Sequence, residues 1–104
     1  MNYLNKEEME ILQRAKSKVR ALYHPLRQSI LVLINDNNNR MNVTDIYVKL
    51  RIEQSVASQH LAILRRANIV ITEREGKFIH YALNHNRIAA VAKFVNDLVN
   101  SEEA

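Results

Sequence analysis

Cysteine is absent from the 104 residues. Disulfides, thiolate metal sites, thiol nucleophiles and thiol redox switches are therefore excluded. Glycine and proline occur once each and tryptophan not at all, so few positions can break a helix. The longest apolar runs are about five residues, against the roughly twenty needed to span a bilayer, and no membrane partner is expected. The stretch Asn2, Asn5, Lys6, Glu7, Glu8 is too polar for a secretory signal. What is present fits a globular chain: 47% hydrophobic residues is too many for a disordered tail. A length of 104 residues allows a single domain, 1–104. Fifteen Lys and Arg against eleven Asp and Glu leave a net charge of +4. The expectation is a cytoplasmic, mildly basic domain, mainly α.

The single Pro25 and Gly76 are well placed. Pro25 heads an apolar-periodic stretch to Ile34, where a missing N–H costs a helix nothing. Gly76 lies between two strand-like runs, 69–74 and 77–83, with Glu75-Gly76 as the turn pair of a hairpin. A first helix is expected from Asn5 to Arg20, with Asn5 and Glu8 close to a capping box. Met9, Leu12, Ala15, Val19 and Leu22 recur along it at helical spacing. The second helix follows Pro25 and carries Leu26, Ile30, Leu33 and Ile34. Asn35 to Asn39 forms a polar connector, and Met41–Val43 at most a very short strand. Thr44 is positioned to cap a third helix to Leu50, and a fourth runs from Ser55 to Ala67. Asn84 or Asn86 caps a last helix to Asn100, with Ile88, Val91, Ala92, Val95, Leu98 and Val99 in period.

Helix, helix, short strand, helix, helix, hairpin, helix is the layout of a winged helix-turn-helix (α-α-β-α-α-β-β-α), whose second motif helix enters a major groove. At about 100° per residue, Ala57, Leu61 and Leu64 share one sector of the fourth helix and should face the core. Ser55, Gln59, Ala62 and Arg66 fall opposite, flanked by Ser58, with no acidic residue from Gln54 to Arg66. Short polar side chains let the backbone approach DNA, and Gln59 can pair bidentately with adenine. Arg66 has a competing surface role, pairing with Glu53 or Glu73. On the hairpin, Arg74 and Lys77 suit phosphate or minor-groove contact, with Glu73 and Glu75 diluting their field.

Three segments in register resemble the arsenical-repressor (ArsR/SmtB) family of small dimeric winged-helix repressors. They are ALYHPLRQSIL at Ala21–Leu31, SVASQHLAILRRANIV at Ser55–Val70 and EREGKFIHYAL at Glu73–Leu83. The resemblance implies a helix-turn-helix over 44–67, a wing over 69–83, and a homodimer built by 1–22 and 84–104. It assigns Gln54, Ser55, Ser58 and Gln59 to the DNA face and puts His60 at the flank of that helix; with Thr44, Arg66, Arg74 and Lys77 these make the expected DNA-binding set. The dimer seam would use Met9, Leu12, Val19, Ile88, Val91, Val95 and Leu98. Two copies would present recognition helices roughly 34 Å apart to a near-palindromic operator. Asn68 replaces the family's usual glycine, and Arg51 stands where the turn often has one. NVTDIYVKL occupies the place where thiolate-sensing members carry Cys-x-Cys. The last helix offers only Asp97, with His85 before it, so no zinc site is expected.

No cofactor and no metal are called for. Nothing supplies a nucleophile–base–orienter set, a phosphate-cradling glycine loop or paired carboxylates, so an enzyme is not expected. His24 reads as a cap or packing residue, His60 as a donor to phosphate or a bond within the motif, and His80 as solvated. Tyr3, Tyr23, Tyr47 and Tyr81 read as packing residues. The expected function is sequence-specific binding of double-stranded DNA by a homodimeric regulator, a repressor, with any small-molecule or protein effector unnamed. The alternative is a winged-helix protein-interaction module whose basic face is merely solvated.

Overall fold

Side chains set where most of the helices begin. The computed structural model describes residues 5–101. The first helix, α1 (Lys6–Leu22), starts at Asn5, whose Oδ1 accepts from Glu8 N at 2.7 Å. The second, α2 (Pro25–Asp36), starts at His24, whose Nδ1 accepts from Leu26 N at 3.1 Å, with Pro25 in the first turn. After a two-residue strand β1 (Met41–Asn42), α3 (Val43–Leu50) is capped by Asn42, which accepts from Asp45 N at 2.9 Å. Thr44 is therefore not the cap. Asn42 leaves the strand extended, so its amide reaches the free N–H first, and Thr44 sits exposed inside the first turn. Helix α4 (Gln54–Arg66) is followed by strands β2 (Val70–Glu75) and β3 (Phe78–Leu83). The last helix, α5 (His85–Ser101), begins at Asn84, whose Oδ1 accepts from Arg87 N at 3.2 Å.

With one glycine available, asparagine supplies most of the left-handed turns. Asn38, Asn39 and Asn68 have φ of 60°, 58° and 61°, a region in which asparagine is the least strained non-glycine residue. Arg51 ends α3 at φ 56°, with Ile52 N donating to Tyr47 O at 3.1 Å. The Asn37–Asn39 connector also bonds across elements. Asn37 donates to Leu33 O and accepts from Lys49 Nζ, and Asn39 Oδ1 accepts from Leu83 N at 2.6 Å.

The sheet has three antiparallel strands in the order β1-β3-β2, so β1 extends the expected hairpin. Glu75 pairs with Phe78, which makes the loop Gly76-Lys77 rather than Glu75-Gly76. Gly76 has φ +61°, and a side chain there would meet nothing within 4 Å, so conformation and not space requires the glycine.

The core lies between α2, α3, α4 and the inner face of the sheet. Ile30, Ile34, Ile46, Leu61, Leu64, Ile69 and Val70 are fully buried, each stabilising the fold by roughly 1.5–3 kcal/mol. Among the described residues of the terminal helices, only Ala21 and Val91 are buried. Val19 and Ile88 pack against the same cluster. Those two and Val91 thus serve the protomer's own core, while Met9, Leu12, Val95 and Leu98 stay exposed. Tyr81 packs on the core, but Tyr23 is 83% exposed just past the end of α1 and is not packed into the protomer's core. Tyr3 lies outside the described residues.

Candidate nucleic-acid interface

Helix α4 is anchored by one side and open on the other. Ala57, Leu61 and Leu64 are fully buried, while Gln54, Ser55, Ser58, Gln59, Ala62 and Arg66 are exposed. The outward strip is short, polar and free of acid, so a phosphate ridge can approach the backbone without meeting a carboxylate. The start of the helix is open as well. Glu53 occupies the cap position without a side-chain capping bond, and the first turn holds no acidic residue. The other helices among the described residues begin at a capping side chain. Uncapped N–H groups and the positive pole of the helix dipole suit an anionic oxygen. Arg65 and Arg66 add positive charge in the last turn. Arg66 lies along its own helix, its Nε donating to Ala62 O at 3.3 Å.

The wing separates its charges by face. Alternation puts Arg74 with Ile79 on one side and Glu73, Glu75, His80 and Phe78 on the other. Glu75 is also ion-paired with Arg40, which offsets its charge locally. The dilution of Arg74 by these acids is therefore weaker than their adjacency in sequence implies. Lys77 at the loop lies over the Phe78 ring, 5.7 Å from its centroid. Thr44 is exposed at the start of α3.

His60 departs from the outward set. Its ring turns toward α2, where Nδ1 meets Arg27 Nη1 at 3.2 Å, and it lies 4.8 Å from the His24 ring. Burial, then the neighbouring His24 and Arg27, lower the His60 pKa from its usual value of 6.5. His24, read as a cap, is one. Sequence reasoning gives Arg27 no role, although a signal exists. At three and seven residues before Ile30 and Ile34, it occupies the core face of α2, where a guanidinium must find partners. It is 8% exposed, and its Nε and Nη2 donate to Ala21 O at 2.6 Å and Arg20 O at 3.0 Å.

Between α1 and α5 runs an apolar groove lined by Leu12, Val19, Phe94 and Leu98, with Lys16 and Arg20 at its rim. Among the described residues, no group of three or more His, Cys, Asp or Glu could hold a metal ion. No helix among them is long and apolar enough to cross a membrane.

Comparison with known proteins agrees with this geometry. Residues 24–72 match the family model described as bacterial regulatory protein, arsR family. The chain is 33% identical over 97 residues to the transcriptional activator HlyU of Vibrio cholerae serotype O1, covering 91% of this chain and 87% of that protein. It is 28% identical over 96 residues to the transcriptional repressor PagR of Bacillus anthracis, covering 90% and 93%. Among solved structures, NolR from Sinorhizobium fredii superposes with a TM-score of 0.70 at 30% identity, covering 96% of this chain and 95% of the other.

Proposed function

The chain belongs to the arsR family of bacterial regulatory proteins, DNA-binding transcriptional regulators, and from that premise we propose that it acts as a homodimeric repressor of a near-palindromic operator. Helix α4 enters the major groove with Gln54, Ser55, Ser58 and Gln59 toward the base edges. Arg66, Arg74 and Lys77 engage phosphates or the minor groove, and Thr44 approaches the backbone from α3. His60, bonded to Arg27, holds α4 in place from behind. The observation that carries this reading is the exposed, acid-free strip along α4 from Gln54 to Arg66, on a helix whose start has no side-chain capping bond. Its mechanism is occlusion: a dimer seated on the operator occupies the surface that polymerase needs.

The dimer is supported by the apolar faces of the terminal helices. Met9, Leu12, Val95, Leu98 and Val99 are between 36% and 53% exposed, a large apolar strip for a protomer with such a small core. Covering that strip with its symmetry mate would set two α4 helices about one DNA turn, roughly 34 Å, apart. Thiolate sensing is impossible without cysteine.

Selection of bound fragments from a random duplex pool tests the reading, followed by fluorescence-anisotropy titration of a selected duplex and a scrambled one. An enriched site with two-fold symmetry is expected, with affinity that falls steeply as salt rises. Equal affinity for every duplex at physiological salt rejects sequence-specific binding.

A further inference from the structure

We propose that Arg27 and His60 are positioning residues for operator reading: the hydrogen bond between them fixes the recognition helix against the C-terminus of α1. The proposal rests on the reading of α4 as the helix that enters the groove.

The Arg27 guanidinium is nearly buried, and among the described residues its partners include no carboxylate. Two of its nitrogens are held by the Ala21 and Arg20 carbonyls. These belong to the last turn of α1, where the dipole is negative; Arg20 O also accepts from Tyr23 N at 3.2 Å. The third nitrogen points to His60 Nδ1. Arginine only donates, so the imidazole must accept there with an Nδ1 lone pair, its proton on Nε2 and its net charge zero. One side chain from α2 thereby links the end of α1 to the middle of α4.

The link supplies what the core contacts of α4 lack. Ala57, Leu61 and Leu64 hold the helix by apolar burial, which is non-directional. A bond at position 60 fixes the rotation of the helix about its own axis. Gln59, the proposed base reader, is the adjacent residue. The other end of the link is the helix proposed to form the dimer seam, so the same bond ties the spacing of the two copies to the aim of each reading face.

The arrangement has a consequence for pH. A protonated His60 has no lone pair at Nδ1 and sets a second cation against Arg27. The charged groups that shift His60 are His24, from the turn before α2, and Arg27, from α2; no group on α1, α3 or β2 does so among the described residues. Both act in the same direction as burial, lowering the pKa from 6.5. The unfolded chain therefore takes up this proton more readily than the folded one. The stabilisation from the neutral ring is complete above the ordinary histidine value and is lost as pH falls through the lower folded-state value.

The test compares the full-length wild type with His60→Asn and His60→Leu. The readout is the ratio of affinities for a selected operator and a scrambled duplex, from about pH 5.5 to pH 8, the range in which histidine titrates. Asparagine offers an acceptor near the place of Nδ1 and does not titrate; leucine offers none. The wild-type ratio should fall on acidification. His60→Asn should keep the neutral-pH ratio within about twofold and hold it flat, and His60→Leu should lose roughly tenfold at every pH, as expected when a buried charged donor loses its acceptor. His24, His80 and His85 are common to all three proteins, so the differences between profiles isolate His60. If His60→Leu does not fold, Arg27→Lys replaces it. An ammonium cannot span the positions of three guanidinium nitrogens, and the ratio should again drop at every pH. Identical pH profiles for wild type and His60→Asn overturn the proposal, as does full discrimination in His60→Leu. A wild type that discriminates no duplex at any pH overturns instead the reading of α4 on which the proposal rests, and the proposal with it.

Discussion

The middle of this chain and its two ends dispose of apolar surface in different ways. From α2 to β3, Ile30, Ile34, Ile46, Leu61, Leu64, Ile69 and Val70 are enclosed within one protomer. Helices α1 and α5, at 17 residues each, are the longest among the described residues, yet of their described side chains only Ala21 and Val91 are buried. Of their other apolar positions, Val19, Leu22 and Ile88 pack against that core, while Ile11, Leu12, Phe94, Val95 and Val99 face outward. Both regions show the same 3.6-residue periodicity. Periodicity therefore tells that a face is to be covered; it does not tell whether the cover comes from the same chain or from another copy.

That contrast can be broken at several points. The largest effect is expected from Leu64→Ala, which leaves a cavity in the enclosed region and should cost about 3 kcal/mol in urea denaturation. The loss should be the same at every protein concentration. Next comes Val95→Glu on the outward face of α5. It should convert a dimer to a monomer in sedimentation velocity, make thermal stability independent of concentration and weaken operator binding by about tenfold or more. A Val95→Glu protein that remains a dimer places the seam elsewhere.

Smaller effects distinguish the reading face from the wing. Gln59→Ala should cost about 1–3 kcal/mol of discrimination between operator and scrambled duplex. Lys77→Ala should instead weaken both duplexes alike and reduce the slope of log affinity against log salt by about one. An unchanged ratio for Gln59→Ala moves the reading to other residues of α4. The smallest change belongs to the helix-turn-helix turn. Arg51 holds φ 56°, so Arg51→Gly should stabilise the fold by about 1 kcal/mol or less, measured as a rise in the urea midpoint.

Much of this architecture is legible in the residues. Ala57, Leu61 and Leu64 define the inner side of α4 by spacing alone, and their burial follows. The lone proline and glycine mark a helix start and a hairpin loop for steric reasons that hold in any context. Other features were harder to read because the deciding partner is distant in sequence. Asn42 displaced Thr44 as a cap because β1 pairs with β3 and leaves Asn42 extended beside the free amide. Asn39 serves Leu83 across 44 positions, and no local pattern announces such a bond. His60 could not be assigned from its place in the motif, since its role depends on Arg27, which lies on another helix. Tyr23 shows the converse. An aromatic residue near a helix end looks like packing material, but at the C-cap of α1 it projects into solvent.

The most direct measurement is a titration of ¹⁵N-labelled protein with the selected operator duplex, followed by amide chemical shift. The largest changes are expected at Gln54–Arg66, with a second group at Arg74–Lys77 and little change along the outward face of α5. Shifts concentrated on α1 and α5, with the amides of α4 unmoved at saturation, contradict the assignment of α4 as the surface that reads DNA.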